Sequence, residues 1–324
     1  EYRNHLYSVW TNYCVSESYE PGSTFKPVTV ASALEEGVVK DGDTYVCKGF
    51  ETVADYKLKC HVFSTIGSHG SLTVEQALMN SCNPYMIHLA LEMGNSRFAY
   101  YQSLFGFGKI TGIDLPGETT GIVYGDRMTT IDAACNSFGQ TINVNMMQMM
   151  AAYCSIINGG MLYQPHIVKR IESANGEVVK EYKANLVRQT ITASTSKLLR
   201  RYLKNTVEEG TAKKAGVTGY SVAGKTGTAQ KGDRKDNKWV ISFIGHAPAE
   251  NPKFAIYVVI DEPYGTTGTS GSSADVLTLT HNILEKLLPY MNVYKDASDE
   301  YEDTSSSPDE LTVDGIQAGT ASSN

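Results

Sequence analysis

The segment Pro21-Gly22-Ser23-Thr24-Phe25-Lys26-Pro27 introduces a run of small and apolar residues that ends at Gly37. Gly22 interrupts the preceding extended stretch, Ser23 is a favourable N-cap, and Gly37 is a favourable stop. The pattern therefore predicts one helix over residues 24–36. Pro27 is compatible with that helix because it falls in the first turn, where a backbone N–H has no intrahelical partner.

Ser23 and Lys26 are expected to lie three residues apart on one face of this helix. At that spacing an amine can accept the hydroxyl proton, which would make the serine a nucleophile. The N–H groups and positive dipole of a helix N-terminus would also stabilise an oxyanion. Ser-x-x-Lys pairs are common by chance, however, and a serine before a helix is usually only a cap. The pair alone leaves both interpretations open.

Two later motifs favour the catalytic interpretation. Ser81-Cys82-Asn83 is a Ser-x-Asn element at a helix junction, and Lys225-Thr226-Gly227-Thr228 lies in a segment with strand character. Taken alone, Asn83 would be an N-cap ahead of Pro84. The three motifs together, in this order, are typical of active-site serine β-lactamases and penicillin-binding proteins.

On these motifs the sequence resembles the transpeptidase domain of class B penicillin-binding proteins, especially the Gram-positive division and sporulation members. The resemblance runs from about residue 7 to about residue 290, and further signatures lie at 19–26, 105–108, 112–118, 138–140 and 222–230. It implies an α/β fold of the α+β type, related to that of the serine β-lactamases. We therefore expect an antiparallel five-stranded sheet flanked by helices, with an all-α subdomain.

The resemblance also implies a reaction. Ser23 would attack the D-Ala-D-Ala bond of a peptidoglycan stem peptide, with Lys26 as proton acceptor and Ser81 as proton relay to the leaving amine. An amine of a second stem peptide would resolve the acyl-enzyme, and β-lactams would acylate the same serine. Lys26 has to be neutral for this role, and burial together with the nearby ammonium of Lys225 would lower its pKa.

The remaining residues of the motifs are implied to bind substrate. Asn83 would hold the acyl side-chain amide, while Lys225, Thr226 and Thr228 would bind the substrate carboxylate. The backbone N–H of Thr228 would pair with that of Ser23 as an oxyanion hole. Gly227 would allow the ligand to approach the strand closely.

Composition narrows the possible partners and location. The 324 residues carry a net charge of −7 and no basic run, which argues against a nucleic-acid partner. No apolar run approaches the roughly 18 residues of a membrane span. Family members have an N-terminal anchor, so the resemblance implies a fragment, beginning at Glu1, of a protein at the extracytoplasmic membrane face. A membrane glycosyltransferase would be its partner through the absent N-terminal region.

Local patterns predict domains and elements along the chain. Residues 1–294 are expected to form the transpeptidase domain, and 295–324, acidic and rich in serine, a disordered tail. A capping box at 73–76, an Asn-Gly hairpin at 175–176 and a methionine-rich buried helix within 139–157 are also expected. Other predicted elements are extended segments at 6–10 and 12–15, loop at 38–70, antiparallel strands at 220–230, 239–245 and 254–261, and helices at 194–209 and 274–289.

Cys47 and Cys60 bracket a glycine-containing loop, and His61 and His69 follow closely. Two cysteines that close a short loop indicate either a disulfide or half of a zinc site. Some members of the family carry zinc near the catalytic groove, and that resemblance favours the metal. The ligands would be Cys47, Cys60 and His69, with Cys82 or Asp55 as the fourth.

Three functional classes share this motif set. One is the transpeptidase, the second is a β-lactamase or carboxypeptidase that passes the acyl group to water, and the third is a penicillin sensor. The long connection from Ser81 to Lys225 fits a cell-wall synthase better than a β-lactamase.

Overall fold

A computed structural model describes residues 10–232, 238–263 and 272–297. The α-helices in chain order are α1 (Tyr13–Ser16), α2 (Lys26–Glu36), α3 (Val74–Met79), α4 (Asn83–Met93), α5 (Asn95–Leu104), α6 (Thr130–Asn136), α7 (Met146–Ile157), α8 (Ala193–Glu208) and α9 (Ala274–Tyr290). The strands are β1 (Thr44–Cys47), β2 (Phe50–Val53), β3 (Tyr56–Lys59), β4 (Gly70–Thr73), β5 (Met161–Gln164), β6 (Arg170–Glu172), β7 (Val178–Glu181), β8 (Asn185–Gln189), β9 (Ala223–Lys231), β10 (Lys238–Ala247) and β11 (Phe254–Asp261).

The main sheet is antiparallel, in the order β11-β10-β9. Alternate residues of the central strand β10 face opposite sides: Val240 and Ile244 join one buried apolar cluster, and Ile241 and Phe243 join the other. This alternation follows from the two-residue period of a strand. Helix α9 covers the second face, where Val276 packs in the same cluster.

The first face of the sheet packs against helical layers with α2 at their centre. Residues of α2 from Lys26 to Ala33 are buried, which is the pattern of a helix surrounded by protein. Helices α3, α4, α5 and α7 contact α2 directly, and α6 packs against α4 and α5. The mixed helical and antiparallel architecture confirms the predicted fold class. Among the described residues the main sheet has three strands, and most of the expected extended segment at 6–10 lies outside them.

Several local predictions are confirmed. Thr73 and Gln76 form a reciprocal capping box at the start of α3, and β6 pairs with β7 across Asn175-Gly176. Helix α7 begins at 146 behind another capping box, and Met149 is buried in the core. The strands at β9–β11 and helices α8 and α9 lie within a few residues of their expected bounds.

Two segments predicted to be extended or loop differ from expectation. Residues 13–16 form a helical turn rather than an extended segment, because the Asn12 side chain accepts a hydrogen bond from Cys14 N. Residues 38–70 contain β1, β2, β3 and the start of β4, each four residues long. Such short strands pair through contacts distant in sequence, as β1 does with β4, and leave little periodic signal.

The boundary of the predicted tail also differs from expectation. Asp296 accepts a hydrogen bond from Ser221 N, and its own backbone N–H donates to Gly219 O, so the packed chain extends to 297. The rest of the tail, 298–324, lies outside the described residues. Within residues 10–297, apart from the two internal gaps, no helix combines the length and apolarity needed to cross a bilayer.

Candidate active site

Ser23 lies in a single 3-10 turn, Gly22–Phe25, that leads directly into α2. The prediction that Ser23 is the N-cap of a helix over 24–36 is therefore wrong: α2 begins at Lys26, and Phe25 precedes it without a side-chain cap. Pro27 occupies the first turn and Gly37 ends the helix at φ 75°, both as expected. The serine hydroxyl is thus free to contact a residue outside its own helix.

Two backbone segments hold this turn from opposite sides. Gly22 N donates to Gly139 O at 2.9 Å, and a Cβ on Gly139 would lie 2.0 Å from Gly22 O. On the other side, a Cβ on Gly22 would lie 2.6 Å from Thr228 O. Only residues without a side chain permit these approaches, and both glycines have positive φ. The nucleophile turn is therefore clamped between the 138–140 signature and β9.

A hydrogen-bonded path connects Ser23 with Lys26 through Ser81. The Ser81 hydroxyl donates to Ser23 Oγ at 3.0 Å, and Lys26 Nζ donates to Ser81 Oγ, also at 3.0 Å. Lys26 Nζ further donates to Ser81 O at 2.6 Å and to Asn83 Oδ1 at 2.7 Å. An ammonium has three N–H donors, so these contacts use all of them. The first two sequence motifs therefore meet in one buried polar group.

The 81–83 element has an irregular backbone that directs its side chains. Ser81 adopts φ 55°, which is uncommon for a residue with a side chain. Cys82 is the N-cap position of α4, and Asn83 is its first residue with Pro84 behind it. Asn83 is therefore not the N-cap, and its side chain accepts from Lys26 instead.

Both lysines of the site are fully buried, and burial lowers both pKa values. For Lys26 burial is the largest cause and brings the pKa to about 8, against smaller opposing effects of Cys60 and Cys82. For Lys225 burial, followed by the charge of Lys26, holds the pKa well below its usual value. The two amines therefore repel each other, and the charge of Lys26 adds to burial in lowering the pKa of Lys225.

The third motif lies in β9, beside the nucleophile turn. Lys225 Nζ is 3.4 Å from Thr226 Oγ1 and 3.5 Å from Thr211 Oγ1. Thr211 follows α8 in the chain and belongs to no motif, so sequence reasoning missed it. It could have been found only from the fold, which brings the end of α8 beside β9.

Gly227 lies where β9 meets the nucleophile turn. A Cβ at this position would lie 2.5 Å from Ser242 Oγ, 2.8 Å from Thr24 Cγ2 and 2.9 Å from Pro21 O. The space beside the glycine is thus filled by protein atoms. Gly227 thus allows the nucleophile turn to approach the strand.

A second cluster lies beside this site and consists of Cys47, Cys60, His69 and Cys82, whose ligand atoms are all within 4.8 Å of one another. The His69 Nδ1 atom lies 3.8 Å from Cys47 Sγ and 3.5 Å from Cys60 Sγ. A tetrahedral zinc ion, with bonds of about 2.3 Å to sulfur and about 2.0 Å to nitrogen, separates its ligand atoms by roughly 3.5–3.8 Å. The donor set and its spacing therefore fit zinc. Asp55, the alternative fourth ligand, is exposed and outside the cluster.

The surroundings of the sulfur atoms fit the same ion. Backbone N–H groups reach Cys47 from Gly49, Cys60 from Asn83, and Cys82 from Tyr85, as is usual around metal-bound thiolates. The hydrogen bond with Cys82 lowers the pKa of the Cys60 thiol, and the same contact raises the pKa of Cys82. All six cysteines are free thiols, so the structure does not contain the alternative Cys47–Cys60 disulfide.

Comparison with known sequences gives a consistent set of relatives. The family model of the penicillin binding protein transpeptidase domain matches residues 1–285. Stage V sporulation protein D of Bacillus subtilis is 40% identical over 288 residues, which are 87% of this chain and 44% of that protein. Peptidoglycan D,D-transpeptidase FtsI of Escherichia coli is 32% identical over 292 residues, 88% and 46% respectively. The chain thus spans less than half the length of these relatives.

Solved structures resemble the fold as a whole. Penicillin binding protein 3 of Mycobacterium tuberculosis in complex with aztreonam has a TM-score of 0.79 and 29% identity, covering 89% of this chain and 66% of that one. The D,D-transpeptidase domain of a peptidoglycan glycosyltransferase from Eggerthella lenta has a TM-score of 0.78 and 25% identity, covering 90% and 72%.

Proposed function

Because the chain belongs to the penicillin-binding protein transpeptidase family, in class B, we propose that it is a serine-type D,D-transpeptidase that cross-links peptidoglycan stem peptides. β-Lactams would acylate the same serine. The observation that carries the proposal is the buried path from Ser23 through Ser81 to Lys26, next to a second buried lysine on β9. Acyl transfer needs an activated nucleophile and a group that can hold the negatively charged end of the substrate, and these residues provide both.

In the first half-reaction Ser23 Oγ bonds to the carbonyl carbon of the D-Ala-D-Ala peptide bond. Its proton passes along the hydroxyl of Ser81 to the neutral amine of Lys26. When the tetrahedral intermediate collapses, the C–N bond breaks and the same proton returns through Ser81 to the leaving D-Ala nitrogen. The amine of a second stem peptide then attacks the acyl-enzyme carbonyl and forms the new C–N bond. Its proton passes through Ser81 and Lys26 to the Ser23 oxygen as the ester C–O bond breaks.

The role of Lys26 agrees with its surroundings. With a pKa of about 8, roughly a tenth of the molecules carry a neutral Lys26 at pH 7, against well under a hundredth for an ordinary lysine. On deprotonation the amine keeps two N–H donors and gains a lone pair, which can accept a hydrogen bond from a hydroxyl group. Burial thus supplies a base at neutral pH without removing the contacts that orient it.

Lys225 supports substrate binding in the same proposal. Its charged form is disfavoured by burial and by Lys26, so an incoming carboxylate would restore the charge and be held by it. Thr226, Thr228 and Asn83 would complete the grip on the peptide, with the backbone N–H groups of Ser23 and Thr228 toward the oxyanion. Gly227 contributes by allowing the turn and strand to meet.

The test is covalent labelling of the full chain with a fluorescent penicillin, followed by intact-mass measurement. We expect one label on the wild type and none on Ser23→Ala, with the melting temperature nearly unchanged. Label that is lost within minutes would identify a hydrolase instead, because a transpeptidase without acceptor stays acylated. Full labelling of Ser23→Ala would contradict the proposal.

We further propose that Cys47, Cys60, His69 and Cys82 bind a structural zinc ion. Zinc would join the β1–β4 region to the 81–83 element and stabilise the native state by mass action, and no reaction step passes through it. Protein purified without chelator should contain about one zinc per chain, and Cys82→Ser should contain less. Absence of metal, together with peptide mapping that joins Cys47 to Cys60, would contradict this proposal.

The substrate places the proposed activity outside the cytoplasmic membrane, where stem peptides are cross-linked. A glycosyltransferase that makes the glycan strands is the proposed partner, in keeping with the name of the Eggerthella lenta relative. A membrane-impermeant fluorescent penicillin should label the protein in intact cells. Labelling that requires lysis would contradict this location.

A further inference from the structure

A chain of buried hydroxyl groups lies beneath the nucleophile turn. The Tyr19 and Tyr257 hydroxyl oxygens are 2.8 Å apart, and Tyr257 is 3.4 Å from Thr24 Oγ1. Thr24 Oγ1 in turn donates to Pro21 O at 2.7 Å. Tyr19, Tyr257 and Thr24 are 6%, 9% and 1% exposed. Thr24 occupies a variable position of the Ser-x-x-Lys motif, Tyr19 and Tyr257 lie outside the three motifs, and the proposed reaction uses none of the three hydroxyl groups.

The direction of each hydrogen bond follows from counting protons. A hydroxyl has one hydrogen, and a carbonyl only accepts, so the Thr24 hydrogen is committed to Pro21 O. Thr24 can therefore only accept from Tyr257; that bond uses the single hydrogen of Tyr257, so Ser242, its other partner, has to donate to it. Tyr19 must consequently donate to Tyr257. The chain thus runs from Tyr19 through Tyr257 and Thr24 to the backbone of the turn, and such aligned bonds strengthen one another.

Tyr257 joins this chain to the sheet that carries the third motif. It lies on β11 opposite Ile244 of β10, which is itself opposite Lys225 of β9. Ser242 of β10 also hydrogen-bonds to Tyr257 and lies against Gly227. The Tyr257 hydroxyl therefore connects the main sheet to the nucleophile turn.

We propose that Tyr257 is a positioning residue for acyl transfer, whose hydroxyl holds Thr24, and with it the turn bearing Ser23, in register with the 225–228 strand. The inference rests on the proposed function, because it concerns the rate at which Ser23 is acylated. The hydroxyl contacts of Tyr257 are with Tyr19, Thr24 and Ser242, so it would act through the turn. Reacting groups need to be held within about 0.5 Å of their productive geometry, and the Tyr257 hydroxyl adds a side-chain contact to the backbone contacts that already hold the turn.

Tyr257→Phe removes the hydroxyl and keeps the ring, so it tests this role with little change in packing. We expect acylation of the full chain by a fluorescent penicillin to be about tenfold slower, the rate equivalent of one hydrogen bond. Tyr19→Phe is the matched control: it also deletes a buried hydroxyl of the chain but leaves the bond from Tyr257 to Thr24. Its rate should stay within about twofold of the wild type.

A double variant separates positioning from stability. In Tyr257→Phe the Tyr19 hydroxyl loses its acceptor, and Tyr19→Phe/Tyr257→Phe removes that unpaired group. The double variant should therefore regain melting temperature and yet remain about tenfold slow. A wild-type rate for Tyr257→Phe would overturn the inference, as would rates that simply follow the melting temperatures of the three variants.

Thr24 provides a second, independent comparison. Thr24→Ser keeps the hydroxyl and should label within about twofold of the wild type, whereas Thr24→Val should be about as slow as Tyr257→Phe. Because both changes break the same link, their combination should add no further loss. Additive losses would overturn the inference.

The same experiments keep the inference distinct from the proposed function. If peptide mass measurement finds no label on Ser23 of the wild type, the proposed function and the positioning role of Tyr257 are both overturned. If the wild type is labelled at Ser23 and Tyr257→Phe is labelled equally fast, only the positioning role is overturned.

Discussion

Raising the pH from 6 to 8 should accelerate acylation of Ser23 by a penicillin about fiftyfold, through deprotonation of Lys26. Burial lowers the pKa of this lysine from 10.5 to about 8. The sign follows from the reaction, since only the neutral amine accepts the serine proton. The neutral fraction rises from about 1% at pH 6 to about half at pH 8.

The informative range is pH 8 to 9. A lysine of pKa about 8 is already half deprotonated at pH 8, so the rate should then rise less than about twofold. An unperturbed lysine would still give about a tenfold rise over the same unit, because its neutral fraction remains small. The point at which the rate levels off therefore measures the effect of burial directly.

The assay is the second-order rate of labelling at each pH, with the melting temperature recorded in the same buffers. Lys225 is a second buried amine, and a β-lactam without the carboxylate separates its titration from that of Lys26. The rise with pH should persist for that ligand. A flat profile from pH 6 to 8, or one that still rises tenfold from 8 to 9, would refute the reasoning.

Three further predictions test other parts of the site. Lys26→Arg keeps a positive charge that cannot be lost, so labelling should fall by orders of magnitude, and near wild-type labelling would make Lys26 only structural. Lys225→Ala should slow acylation by carboxylate-bearing ligands about ten- to a hundredfold; an equal loss with the carboxylate-free analogue would indicate misfolding. Gly139→Ala should lower the melting temperature much more than Gly176→Ala, because the first Cβ would meet Gly22 O at 2.0 Å while the second meets nothing within 4 Å. Gly139 and Gly176 have similar φ values of 80° and 87°. Equal losses of melting temperature would therefore mean that backbone strain alone is responsible.

Signals that act over a few residues could be interpreted from the sequence alone. The capping box at Thr73 and Gln76 and the hairpin at Asn175-Gly176 are formed by hydrogen bonds between residues close in the chain. Their geometry therefore depends on local chemistry and hardly on the fold. The three active-site motifs were recognisable for a different reason, since their residue types and order are typical of one family.

The arrangement of those motifs depended on contacts between distant residues. Ser81 lies between Ser23 and Lys26, 58 positions from the first, and no local pattern indicates that it would link them. The 3-10 turn at Ser23 likewise results from the approach of Gly139 and of β9, not from the capping preference of serine. A local preference of about 1 kcal/mol is easily overridden by packing of this kind.

Burial was the other property that required the tertiary structure. The sequence was sufficient to nominate two lysines, but only the packing of α2 and β9 within the core made both of them fully buried and so lowered their pKa values. The hydroxyl chain from Tyr19 through Tyr257 to Thr24 spans 238 positions, and no sequence pattern links Tyr257 to the other two residues. Residue types determine which chemistry is available, whereas desolvation and distance, which set the strength of that chemistry, exist only after the chain has folded.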